Sequence, residues 1–355
     1  MMNSDGARGA YSISNRGGRI EYIDALRGFT MLMVVFHHVA YCCWKMDINE
    51  IPSVHNYLLQ VRMPMFFFIS GFVLYKSNVT WNSAQVLKFF KKKLPVQLFT
   101  PFLFLLLSVH ISGTNLLIAI SDPDKNGFWF TFVLLEYYVF YVSVKFLIRK
   151  CWASIVLVII GLAFYLINFP PIMDSIPLLE STKGILSIQR WHFFLFFVLG
   201  TIVKKHFIWF ESFLDRGWFL TCCILIYFLG NGFRSIIPVN STIIGLILTL
   251  TGLTILFSFF RIKKDIFSRQ SILGRSLQCV GRRTLDIYLI HTFLLPTSLS
   301  IFTLFKDHPM PVIEATSSLL VSIIIVAACL LISNIIRLSP FLAHWMFGAK
   351  NKVNT

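Results

Sequence analysis

Apolar runs long enough to cross a lipid bilayer recur along almost the whole chain. A hydrocarbon core about 30 Å thick takes about 20 helical residues to span. Runs of that order fall near 24–44, 53–75, 95–112, 128–148, 151–168, 187–203, 217–233, 238–260, 284–305 and 312–336. The stretches 155–169, 243–260 and 319–336 hold almost no charge, and the least distinct boundary is 234–238, between the seventh and eighth runs. Backbone polar groups in lipid must be satisfied within the segment, so such runs fold as helices. The expected fold is all-α, a polytopic membrane helix bundle of about ten transmembrane helices. The segments 207–216 and 266–282 read instead as amphipathic helices lying at the membrane surface. Composition agrees, with 56% hydrophobic residues, 37 of them Phe, and only 14% charged residues, against about 25% charged in a soluble domain. A soluble enzyme, a disordered chain and a disulfide scaffold are excluded.

The formal charge of +16, from 32 Lys+Arg against 16 Asp+Glu, would point to nucleic acid in a soluble protein. Here the cations sit between apolar runs, so no nucleic-acid partner is expected; the lipid bilayer is the partner. Counted on alternate sides of the ten runs, 25 Lys+Arg fall on one side and six on the other, with Arg62 inside a run. The positive-inside rule then places both termini in the cytoplasm of a multi-pass protein of the cell membrane. Residues 1–19 are polar and rich in Gly, Ser and Arg, without the apolar core of a signal peptide; they read as a disordered tail. Residues 20–340 form one membrane domain and 341–355 a cytoplasmic tail. Cys42-Cys43 and Cys222-Cys223 are adjacent pairs in apolar runs, with no Cys-x-x-Cys or Cys/His spacing, so no metal site is expected. No internal repeat is visible, which argues against an inverted-repeat transporter.

Ionisable side chains inside a span are costly and therefore candidates for function. The first run places His37 and His38 eleven residues or fewer beyond Arg27; at 1.5 Å per residue His38 stands about 16 Å above Arg27, near mid-membrane. A neutral imidazole is tolerated there and can accept a proton. In the second run Arg62 precedes Pro64, and Ser70-Gly71 allows close helix approach. Arg62 reads either as a holder of an anionic substrate group or oxyanion, or as a partner of Glu136, the carboxylate deep in the fourth run. Asp286 and His291 share the ninth run but not a helix face. His192 beside Arg190 and Trp191 reads as an interfacial belt.

Together the stretches RIEYIDALRGFTMLMVVFHH, MPMFFFISGFVLYK, KKKLPVQLFTP, FWFTFVLLEYYVFY, HFFLFFVLG and RRTLDIYLIHTFLL, in this order from about residue 19 to 295, resemble the acyltransferase-3 family of multipass membrane acyltransferases. The resemblance implies transfer of an acyl group, commonly acetyl from acetyl-CoA as co-substrate, to a hydroxyl of a carbohydrate, a lipid-linked glycan or another exported acceptor. No permanently bound cofactor is expected. The family's Arg-x10-His pattern falls on Arg27 and His38, with His38 the implied base and His37 its neighbour in the catalytic set. Arg62, Ser70, Lys91, Lys92, Lys93, Trp129, Glu136, Asp286 and His291 are the candidate substrate- and cofactor-binding residues. Where many members carry an Arg-x-x-Arg pair, this chain has the three lysines followed by Pro95 and Gln97.

The chemistry needs such a set. A sugar hydroxyl is a poor nucleophile and requires a base within hydrogen-bond reach. The tetrahedral oxyanion requires preorganised donors, for which Arg62 and Ser70 are candidates. The lysines can hold CoA phosphates as point charges while the pantetheine arm enters the bundle. A different class remains open from sequence: a transporter or exporter of a polar or acylated solute, its pathway lined by the same buried polar residues. The sequence leaves the oligomeric state open.

Overall fold

The structure, a computed structural model, describes residues 19–44, 54–77, 79–148, 152–167, 184–233, 241–296 and 310–349. Residues 1–18 and 350–355, most of the 169–186 loop, the 234–238 boundary and the far end of the ninth run lie outside the described residues. Residues 341–349, read from sequence as the start of the cytoplasmic tail, are described: they hold most of the helix Pro340–Phe347, whose Ala343 and Phe347 are buried. Among the described residues there is no strand. The helices are α1 (Glu21–His38), α2 (Val54–Leu74), α3 (Ser83–Leu94), α4 (Thr100–Ser112), α5 (Leu116–Ser121), α6 (Trp129–Leu147), α7 (Trp152–Leu166), α8 (Phe194–Lys205), α9 (Phe207–Leu214), α10 (Gly217–Gly232), α11 (Ser241–Ile262), α12 (Ile272–Arg282), α13 (Thr284–Ile290), α14 (Pro311–Ile336) and α15 (Pro340–Phe347).

Among the described residues, six helical spans are long and apolar enough to cross a membrane: Glu21–Cys43, Tyr57–Leu74, Ser83–Ser112, Trp129–Leu147, Thr242–Ile262 and Pro311–Ile336. A seventh is reached if Ile188–Lys205, which ends in α8, and α9, bent by 96° at their junction, are one span. The remaining runs fold as the shorter apolar helices Trp152–Leu166, Gly217–Gly232 and Thr284–Leu294. Every apolar run therefore contains helix, and among the described residues spanning length belongs to six or seven of them. A helix of about 16 residues rises only about 24 Å, less than the hydrocarbon core.

Helix α14 shows why this bundle belongs in lipid. Glu314, Ser318, Ser322, Cys329 and Ser333 are buried along one face, while Leu320, Ile324 and Leu331 are more than 60% exposed. Large apolar side chains outside and small polar ones inside invert the pattern of a soluble helix. In a bilayer that arrangement is the stable one, because lipid solvates Leu and Ile while small residues let helices approach.

Two crossings hold the bundle together at glycines. A Cβ on Gly28 of α1 would sit 1.9 Å from the carbonyl oxygen of Leu277, and one on Gly281 of α12 would sit 1.9 Å from that of Asp24. The segment expected to lie along the membrane surface thus folds in part as α12 and packs its buried face (Gly274, Gln278, Gly281) into the bundle. The second crossing joins α2 to α8, where Cβ atoms on Gly71 and Gly200 would meet the carbonyl oxygens of Phe197 and Phe68 at 1.9 and 2.0 Å. Helix α9 turns away from α8 and is tied to α11 by Arg261, which bonds Glu211 at 3.1 Å and Asp215 at 2.7 Å.

The third run differs from its expected start. Its helix begins at Ser83, where the Asn82 side chain accepts the Gln85 N–H at 2.9 Å, a side-chain cap for an otherwise orphan donor. Lys91, Lys92 and Lys93, which precede the third run as read from sequence, are therefore part of this helix. Pro95 opens a π-helical turn, Pro95–Phe99, that joins α3 to α4. Proline has no N–H to donate, and the widened turn absorbs the loss without ending the span. A second π turn, Val39–Cys43, extends α1.

Candidate active site

Helices α1, α2, α3, α6 and α13 and the 3₁₀ turn before α8 surround one cavity of about 1000 Å³. At one end its wall carries Lys76, Trp81, Lys88, Lys92 and Lys93; at the other it carries Asp124, Asn126, Trp129 and Arg190. Between them stand Arg27, His37, His38 and Ser70, with Arg62 toward the Arg190 end. Helices α1 and α2 each run from one end of the cavity toward the other, which is how residues far apart in sequence come to line it.

His38 is packed among rings. Its ring centroid lies 5.1 Å from that of His291 and 5.6 Å from that of His37, and His37 stacks on Tyr41 at 5.9 Å. His291 is fully buried behind the wall rather than on it. Its Nδ1 lies 2.8 Å from the Tyr288 carbonyl and 3.1 Å from that of Ile287. Carbonyl oxygens only accept, so Nδ1 holds the proton and Nε2 presents a lone pair. That Nε2 has no hydrogen-bond partner. The Tyr288 hydroxyl donates to the Gly127 carbonyl at 2.9 Å and accepts the Phe130 N–H at 3.0 Å, fixing the start of α6 and so the position of Trp129.

The structure separates the sequence candidates. Arg27, His37, His38, Arg62, Ser70, Lys92, Lys93 and Trp129 line the cavity; Lys91, Glu136, Asp286 and His291 do not. Lys91 points elsewhere because adjacent helix positions are about 100° apart. Lys88, one turn before Lys92, takes its place on the wall. Starting the third run at residue 95 left out this i, i+4 pair, which the helix SAQVLKFFKKKL carries. Lys93 approaches the Tyr138 hydroxyl at 3.4 Å and the Tyr138 ring centroid at 4.8 Å.

The pairing of Arg62 with Glu136 is not observed. Glu136 accepts the Trp191 indole N–H at 2.8 Å, whereas Arg62 Nε and Nη1 are buried without hydrogen-bond partners. Asp286 is taken up by a structural network: it accepts from Arg337 at 2.9 Å through each carboxylate oxygen and from Ser333 at 2.5 Å, with Arg283 at 3.5 Å. That network ties α13 to α14. A buried carboxylate needs such partners, and its short spacing from His291 in sequence carries no chemistry.

Arg190, read from sequence as part of an interfacial belt, lies on the cavity wall. It pairs with Asp124 and places its guanidinium 4.7 Å from the Trp129 ring centroid. The neighbouring loop is held by Lys125, which donates to the Gly184 carbonyl at 2.7 Å. Burial lowers the pKa of the Lys125 ammonium, and the charges of Glu136, Asp122 and Asp124 oppose that shift. Lys125 and Asn126 both take positive φ, 45° and 51°, so the loop is a strained corner whose backbone is fixed by this buried lysine. No group of three or more His, Cys, Asp or Glu residues suited to a metal ion occurs among the described residues.

A family model described as an acyltransferase domain matches residues 20–337. No curated protein and no solved structure matches the chain.

Proposed function

From the acyltransferase-3 family, to which this chain belongs, we propose a membrane O-acyltransferase that moves an acyl group, most simply acetyl, from acyl-CoA to a hydroxyl of a carbohydrate acceptor. The observation that carries this reading is the single cavity joining a lysine-lined end, a histidine pair and a second polar end. Lys88, Lys92 and Lys93 meet the CoA phosphates, and the pantetheine arm extends along the cavity toward His38. The acceptor enters from the Arg190 end. The acceptor hydroxyl oxygen attacks the thioester carbonyl while His38 takes its proton; the C–S bond then breaks, and the proton passes to the departing CoA thiolate. Ser70 or Arg27 stands toward the donor side, and Arg62 toward the acceptor side.

We further propose ten spans, with both termini cytoplasmic in the cell membrane, so that the lysine end faces the acyl-CoA pool. The continuous cavity also fits a second reading, a conduit for a polar or acylated solute. One assay separates them. Purified protein in detergent, given acetyl-CoA and a panel of carbohydrate acceptors, should release free CoA in an acceptor-dependent way. Solute flux in proteoliposomes without any CoA release would replace the enzyme with the conduit.

A further inference from the structure

Seven Lys or Arg side chains line the cavity against a single carboxylate, Asp124, and that one is already paired with Arg190. The cations fall into separate groups. Those at the lysine end are spoken for by the donor's phosphates under the proposed function. Arg62 is not: it lies twelve residues before Leu74, about 18 Å along α2 from the lysine end. Its Nε and Nη1 are out of solvent and without hydrogen-bond partners, and so is Nε of Arg190. Among the described residues Arg62 has no carboxylate of its own, since Glu136 is held by Trp191 and Asp124 by Arg190. Two arginines with unused buried donors around one space amount to a site built for an oxyanion, because the guanidinium fork matches carboxylate and phosphate geometry. Beside them the same end offers Trp129, whose ring lies under Arg190, and Asn126 on its fixed corner, an aromatic surface with a planar amide suited to a sugar.

We infer that the Arg62–Arg190 end of the cavity binds the carboxylate or phosphate of an anionic carbohydrate acceptor. This deepens the acyltransferase reading and rests on it for the identity of the ligand as acceptor. The anion replaces the missing partner of Arg62 and fixes the sugar with a hydroxyl toward His38. The two sources of such an anion, a sugar's own carboxylate and a phosphate on its anomeric carbon, share this chemistry.

The test uses the full chain in detergent, with saturation-transfer NMR on glucuronic acid, glucose 1-phosphate and neutral methyl glucoside, and a separate titration with CoA. At least one anionic probe should bind about tenfold or more tightly than methyl glucoside, and added salt should weaken it. Glucuronic acid as the tighter probe identifies a sugar carboxylate; glucose 1-phosphate identifies a phosphate-linked sugar. Arg62→Gln and Arg190→Gln should each lower that affinity about tenfold while leaving CoA affinity unchanged, and Arg62→Lys should keep part of it. Equal binding of the neutral and anionic probes, or anion binding indifferent to both Gln variants, overturns the inference. If Arg62→Gln fails to fold, the wild-type comparison of probes and Arg190→Gln decide. CoA release that persists while the anionic probes behave like methyl glucoside removes this inference alone. Arginine-dependent anion binding without CoA binding or release removes the donor reading and leaves the anion site standing.

Discussion

His38 and His37 are neighbours in sequence and both reach the cavity, yet their surroundings differ. His38 lies between the rings of His291 and His37, while His37 stacks on the exposed Tyr41. An imidazole held between two others, as His38 is, has a ring on either side with which to share a proton. On this ground His38→Ala should lower acetyl transfer by about 10²–10⁴-fold with the protein still inserted, whereas His37→Ala should cost far less. Acceptor-dependent CoA release by the two purified variants checks this, and an undiminished His38→Ala rate would move the base to His37 or His291.

At the scale of elements, two helices set the terms. Helix α3 turns a lysine-rich segment into a face, so Lys88, Lys92 and Lys93 reach the cavity and Lys91 does not. The triple replacement of Lys88, Lys92 and Lys93 with Gln should raise KM for acyl-CoA and flatten its salt dependence, with KM for acceptor little changed. Lys91→Gln should do neither, and an equal effect of Lys91→Gln would mean that the lysines act through membrane topology instead. The α2–α8 crossing makes a structural prediction. Gly71→Ala places a Cβ against the Phe197 carbonyl, in a contact that no side-chain rotation relieves. It should destabilise the bundle by about 1–3 kcal/mol or more, read as a lower midpoint of thermal unfolding in detergent. Gly113, with a positive φ and open space around it, marks the end of α4 and is the contrasting case: substitution there strains the backbone but disturbs no packing.

For the whole molecule the question is which end of the cavity faces which side of the membrane. The lysine end lies on the side that holds 25 of the Lys and Arg residues by the ten-run count, the side that is cytoplasmic in the proposed orientation. Single cysteines introduced at positions 88 and 275 in a background without reactive thiols should label only after permeabilisation, and one at position 124 should label from outside. Labelling of position 124 from the cytoplasm alone would reverse the orientation and with it the direction of transfer.

Some of this was fixed by the chain's own chemistry. Apolar runs of membrane length can only be helices, because lipid offers no partner for free backbone groups, so the helical class is readable from 312–336 without any coordinate. The depth of His38 above Arg27 is likewise a matter of helical rise. Which polar residues share a space is not local information. Glu136 and Arg62 looked complementary in charge, but the packing of α6 against the 3₁₀ turn before α8 gives Glu136 to Trp191 and leaves Arg62 to the cavity. Asp286 and His291 sit five residues apart, yet one is drawn into the Arg337–Ser333 network and the other set behind His38. A one-dimensional pattern records how far along a helix a charge lies; only the crossings at Gly28–Gly281 and Gly71–Gly200, by fixing how the helices face each other, decide what that charge meets.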